Sequence, residues 1–353
     1  MSPSIRWSMM CRAAVMAALL CASGCASFAK WQQERRDAAL HRQQNREYVE
    51  RNTQSKGDAA ARAKQLQREA HLHQLQKELI ARGDPDSLAA AALFEGLLSR
   101  MTSALSLELA ARATAGAPNR ADLAFVQLQL CESAPGCDAA PLEARQRALD
   151  PANGIAWTYQ LVRADRANNG PDWRRAREGL AESTRLEVYW NPIVSRLASA
   201  AAGKGGYDST SAAIQLLAIE SALMPAFEPV SRACSVQDIQ QPDVLAQCRR
   251  IAAAFRGADT AVLEAYGSSL AIRLWPEGSA ESRDIELERR GLRYRVELMT
   301  RNTQKVNSPH AQQTLVALIS RYPTEQAAYH ALFVELGLKP DPPADWTEPV
   351  TGG

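Results

Sequence analysis

Asp150-Pro151-Ala152-Asn153-Gly154-Ile155-Ala156-Trp157-Thr158-Tyr159-Gln160-Leu161-Val162-Arg163-Ala164-Asp165-Arg166-Ala167-Asn168-Asn169-Gly170-Pro171-Asp172-Trp173 reads as turn, helix, turn. Proline lacks the N–H that would continue a helix and glycine favours the left-handed conformation that ends one, so the apolar run after Ala156 is bounded on both sides. The same punctuation recurs outward. Toward the N-terminus lie Ala117-Pro118-Asn119 and Gly83-Asp84-Pro85. Toward the C-terminus follow Asn191-Pro192, Gly203 to Gly206, Met224-Pro225, Pro242-Asp243, Pro276-Glu277-Gly278, Ser308-Pro309 and Tyr322-Pro323. Helices of roughly 10 to 20 residues fit between these breaks, and connections so short favour antiparallel neighbours. Leu93, Leu97, Met101, Leu105 and Leu109 step by four, one apolar stripe along a long helix or a closely joined pair. No segment is read as alternating with period two, so strands are not expected and the fold class is all-α.

Composition sets the scale. The 353 residues are 46% hydrophobic and 23% charged, a globular chain able to bury a substantial core. Lys and Arg number 41 against 39 Asp and Glu, a formal net charge of +2, so no global field recruits nucleic acid. Residues 25–85 are rich in Gln, Arg, Glu, Lys and Ala and read as a solvated helical spacer. There Ala59, Ala63, Leu66 and Ala70 follow a 4-3-4 spacing that Leu72, Leu75 and Leu79 resume out of phase, which does not sustain a coiled-coil seam. Residues 86–338 form the helical body. The Pro-rich residues 339–353 are expected to be an extended, mobile tail whose Trp346 either anchors a partner or folds against the last helix.

Two boundaries carry a family resemblance. Asp150-Pro151-Ala152-Asn153 with Ala156-Trp157, and Tyr322-Pro323-Thr324-Glu325-Gln326-Ala327-Ala328-Tyr329, resemble the junction between successive tetratricopeptide repeats. No strict 34-residue period runs through the body, so the resemblance implies an irregular α-α superhelix of antiparallel pairs with degenerate units. Trp157, Trp173, Tyr189 and Trp190 group near these turns. Such aromatics either line a concave peptide-binding surface or fill gaps between helices.

At the other end, Arg6 and Arg12 precede an apolar stretch from Ala13 to Leu20 and the small residues Ala22-Ser23-Gly24 before Cys25. This resembles a bacterial lipoprotein signal, with residues 1–24 removed and Cys25 lipidated as the new N-terminus. Ala22 stands where that pattern usually has leucine, and the alternative is an ordinary signal peptide cut after Gly24, leaving a soluble periplasmic protein. Ala26, not aspartate, follows the cysteine, which in such families implies the periplasmic face of the outer membrane. The apolar stretch itself is too short to span a bilayer, which takes roughly 20 residues. Of seven cysteines, Cys11 and Cys21 leave with the signal, and Cys131, Cys137, Cys234 and Cys248 remain. Their C-x5-C and C-x13-C spacings suit two local bridges in an oxidising compartment, the preferred one of three connectivities, and fit zinc poorly.

Catalytic signals are sparse. Ile219-Glu220-Ser221-Ala222-Leu223-Met224-Pro225 resembles the Glu-Ser segment of lytic transglycosylases, which implies Glu220 as general acid and base and Ser221 as its orienting partner. That family continues into Gly-Ala-x-Gly-Leu-Met-Gln, whereas Arg232-Ala233-Cys234-Ser235-Val236 follows Ser231 here. His71 and His73 lie two apart, on different faces of a helix, so they are not a metal pair. Gly203-Lys204-Gly205-Gly206-Tyr207 reads as a turn. No cofactor or metal is expected. The function expected is a lipid-anchored scaffold or adaptor that meets the membrane through Cys25 and binds an envelope protein or peptide. A peptidoglycan-cleaving enzyme using Glu220 and a structural lipoprotein without a ligand are the alternatives.

Overall fold

The computed structural model describes residues 59–99, 102–202, 209–222 and 224–347, and among them every regular element is helical. Residues 1–58, with Cys25 and most of the expected spacer, lie outside the described residues, as do residues 203–208 with the glycine-rich turn. The chain divides into two compact units, 1–67 and 68–353. In the first, the described residues belong to helix α1, Ala59–Arg82, which continues into the second. There follow α2 Pro85–Ser99, α3 Ala104–Gly116, α4 Ala121–Glu132, α5 Ala140–Leu149, α6 Ile155–Arg166, α7 Gly170–Glu182 and α8 Trp190–Ala201. The later elements are α9 Ser209–Ala222, α10 Glu228–Ala233, a 3-10 turn Asp238–Gln240, α11 Pro242–Arg256 and α12 Ala261–Ala271. The last are α13 Ala280–Arg301, α14 Thr303–Val306, α15 Pro309–Ile319 and α16 Glu325–Glu335.

Helix starts follow capping chemistry. The hydroxyls of Ser103, Thr260, Ser279, Ser308 and Thr324 each accept a backbone N–H three residues on, satisfying one of the donors a helix leaves open. Ser103 and Ser106 cap each other reciprocally, and this box splits the four-step leucine stripe into the pair α2 and α3. Leu93 and Leu109 are buried, whereas Leu105, in the first turn of α3, is exposed.

The expected spacer, residues 25–85, is not solvated throughout. Leu72, Leu75 and Leu79 are all buried, so the second half of α1 is part of the core. Three leucines at helical spacing suffice to seat that face, although the composition around them is polar. Sequential helices pack on one another, most extensively α2 on α3, α6 on α7 and α11 on α12. Glycine permits the closest approaches. A Cβ on Gly179 would lie 2.3 Å from the Trp157 ring, and one on Gly267 would lie 2.5 Å from the backbone nitrogen of Arg256. More distant pairs are tied together by α8, which packs on both α2 and α15, and by α11 on α7.

One connection is not helical at all. Residues 183–189, between α7 and α8, run as an extended strap whose Leu186 and Val188 are fully buried while Arg185, Glu187 and Tyr189 are partly exposed. Contrary to the expectation of no period-two alternation, this stretch alternates. A single parallel bridge links Asn153 to Arg185, with Gly154 N–H donating to the Arg185 carbonyl at 2.9 Å. A strap between helices has no sheet to join, so its remaining backbone groups need other partners.

Candidate functional site

Those partners come from the Asp150 boundary and from Asp259, which is itself tied to the Tyr322 boundary. On one side, Asn153 Oδ1 accepts the N–H groups of Ile155 at 3.1 Å and Glu187 at 3.0 Å, and its amide donates to the Glu187 carbonyl at 2.9 Å. Asp150 receives the Tyr189 hydroxyl and the Arg185 guanidinium, and Gln146 Nε2 donates to that hydroxyl at 2.8 Å. Burial, then the bond to Asp150, pushes the Tyr189 phenol far above its ordinary range. Tyr189 itself takes φ +55°, a left-handed conformation that aromatic residues seldom adopt and that these bonds hold in place.

On the other side, Asp259 accepts Val188 N–H at 3.0 Å and Trp190 N–H at 2.9 Å. The Asp259 carbonyl accepts the N–H of Glu325 at 2.8 Å, and the Glu325 carboxylate accepts the N–H of Ala261 at 2.8 Å. Asn191 Nδ2 donates to the Tyr322 carbonyl at 2.7 Å. Burial lifts the Asp259 carboxyl to about 6 against the lowering effect of its two backbone donors. The boundaries at Asp150 and Tyr322 are thus joined through one strap. Neither the alternation at the strap nor Asp259 was singled out from the sequence, and only the alternation offered a local signal.

A second ionisable cluster lies between α4, α5 and α6. Glu143 is buried and pairs with Arg163 through both oxygens, at 3.0 and 2.8 Å. Glu132 sits beside it with Arg166 at 3.9 Å. Burial first, and the Glu143 charge second, raise the Glu132 carboxyl to about 7.

The four nominated aromatics do not converge on one face. Trp157 is covered by Arg147, whose guanidinium carbon lies 4.2 Å from the ring centroid, and packs against Gly179. Trp190 is core, and Tyr189 closes the Asp150 cluster. Trp173 lines a cavity of about 430 Å³ between the α6–α7 turn and α10, with Asp165, Asn169, Arg232 and Asp238. Arg232 spans its mouth, bonding to Asp165 and, at 2.6 Å, to Glu228. Of the five tryptophans in the described residues, four carry an arginine over the ring, so one face of each is already occupied.

Glu220 belongs to α9, with its side chain outside the described residues, and the Ser221 hydroxyl is exposed and donates back to the Leu217 carbonyl at 2.8 Å. His71 and His73 are both exposed. No group of metal-ligating side chains occurs among the described residues, and no described helix is long and apolar enough to cross a membrane. The four remaining cysteines form two disulfides, Cys131 to Cys137 and Cys234 to Cys248, with Cα separations of 5.3 and 5.7 Å. The first closes the end of α4 and the second staples α10 to α11. No protein-family model matches this chain, and neither the curated proteins nor the solved structures include one significantly similar to it.

Proposed function

We propose that this chain is a lipid-anchored scaffold or adaptor of the Gram-negative periplasm, held at the outer membrane through Cys25 and binding another envelope protein or an extended peptide. The observation that carries this reading is the pairing of all four body cysteines into local disulfides, a pattern that belongs to oxidising compartments and agrees with the secretory pattern at residues 1–25. The tetratricopeptide-like boundaries at Asp150 and Tyr322 support a binding role, by analogy of architecture. The buried polar groups support it too. Asp150, Asn153, Asp259 and Glu143 each bond to neighbouring elements of the chain, which makes them structural ties.

The test is quantitative affinity purification from crosslinked, detergent-solubilised envelopes, comparing the native chain with Cys25→Ser, together with metabolic labelling by a palmitate analogue. The expected result is label on the native chain alone and one stoichiometric partner. Absence of label on the native chain overturns the anchor. Muropeptide release that disappears with Glu220→Gln overturns the adaptor in favour of an enzyme.

A further inference from the structure

The Pro-rich tail is not free along its whole length. After Gly337, residues up to 347 cross onto α13, a long helix rich in arginine and glutamate. Arg290 Nη2 donates to the carbonyls of Pro343, Ala344 and Trp346, the last two at 3.1 and 2.9 Å. The Trp346 indole N–H donates to Glu297 at 2.9 Å, and its ring meets Tyr294 edge-on with centroids 5.4 Å apart. The guanidinium of Arg290 lies over the same ring at 5.6 Å. Beside them is a cavity of about 300 Å³ lined by Glu286, Arg289, Arg290, Arg293 and Trp346.

We infer that this face of α13 is a peptide-docking site, occupied in cis by the chain's own tail, whose partner is an acidic, proline-bounded turn segment bearing a tryptophan. Three features specify that occupant. Arg290 reads backbone carbonyls that the turn from Pro343 to Trp346, closed by the Trp346 N–H on the Pro343 carbonyl at 3.0 Å, brings together on one guanidinium nitrogen. Tyr294 and Glu297 together read an indole, through its ring edge and its N–H. Three arginines against one glutamate line the cavity, and residues 339–347 of the tail carry Asp341 and Asp345 against one lysine, Lys339.

The cis contact is also built to yield. Trp346 is only partly buried, and Pro343, Ala344 and Asp345 are exposed, so solvent reaches most of the bonds. A tethered segment competes at an effective concentration of order millimolar, which a foreign peptide with a better fit overcomes. The tail therefore sets a threshold for docking. For its biological partner this inference rests on the adaptor reading.

The experiment uses the full-length chain and a fluorescein-labelled peptide of residues 339–353, titrated by anisotropy. Trp346→Ala, which frees the site, is expected to bind the peptide at least tenfold more tightly than the native chain does. Adding Arg290→Ala is expected to abolish that gain, and adding Glu297→Gln to reduce it, in variants whose helical circular dichroism is unchanged. Equal affinity of the native chain and Trp346→Ala, or indifference to both α13 substitutions, overturns the site. Concentration-dependent dimerisation of the native chain that Trp346→Ala abolishes makes a second copy the occupant and overturns the foreign peptide. Co-purification of an envelope partner without peptide binding overturns α13 as the site and leaves the adaptor standing.

Discussion

The strap at residues 183–189 and the tail at residues 338–347 are both non-helical chain laid over helices, yet one is a keystone and the other a latch. The strap buries Leu186 and Val188 and bonds through Asn153 on one side and Asp259 on the other, out of reach of water. Most of the tail's bonds come from one arginine and one indole at the surface. The hydrogen bonds are of similar length in the two places. What differs is the alternative open to each group on release: water for the tail, an orphaned buried donor for the strap.

The largest expected break in this comparison is Asp259→Ala. It leaves the buried N–H groups of Val188 and Trp190 unpartnered, each worth about 1 to 3 kcal/mol, and denaturant unfolding is expected to show a loss of about 3 kcal/mol or more. A loss below about 1 kcal/mol would mean that the strap relaxes at little cost and is no keystone.

Acid gives an intermediate effect with a definite sign. Asp259 is lifted from 3.8 to about 6, and Glu132 from 4.5 to about 7, so the folded chain takes these protons before the unfolded chain does. Stability therefore rises as pH falls through about 7 to 4.5 for Glu132 and about 6 to 3.8 for Asp259, and is lowest above both windows. Thermal melts at pH 7.5 and 5.0 should show the higher midpoint at pH 5.0. Glu132→Gln should flatten the upper part of that rise, Glu143, Arg163 and Arg166 being the charges around it. A midpoint that falls on acidification would show that loss of the acceptors on the strap outweighs the relief of buried charge.

The smallest effect belongs to the tail. Trp346→Ala should shift the melting midpoint by less than about 2 °C, since it removes a surface contact and exposes little core. A shift as large as that of Asp259→Ala would make the tail a second strap.

Much of the helical order was legible because proline, glycine and capping residues act locally. Asp150 to Gly154, Asn168 to Pro171, Ser308-Pro309 and Tyr322-Pro323 all fall between helices or at a helix start, and both disulfides join cysteines close in the chain. The features that escaped act at a distance. Asp259 lies about seventy residues from the strap it holds, and nothing around it marks a partner. The alternation of Leu186 and Val188 is short and was masked by the helices on either side. Leu72, Leu75 and Leu79 were hidden in a glutamine- and arginine-rich run. The aromatic group was read from proximity in sequence, whereas arginine stacking and the turn of the chain send its members to different places.

The order of the disulfides has a consequence for how the molecule matures. Cys131 bonds to Cys137 and Cys234 to Cys248, each thiol to the next one along the body. Among these four, a chain emerging N-terminus first meets its partners in sequence, and each bond can close before the next body thiol arrives. Maturation then calls for an oxidant alone, without the slow reshuffling that crossed pairings demand.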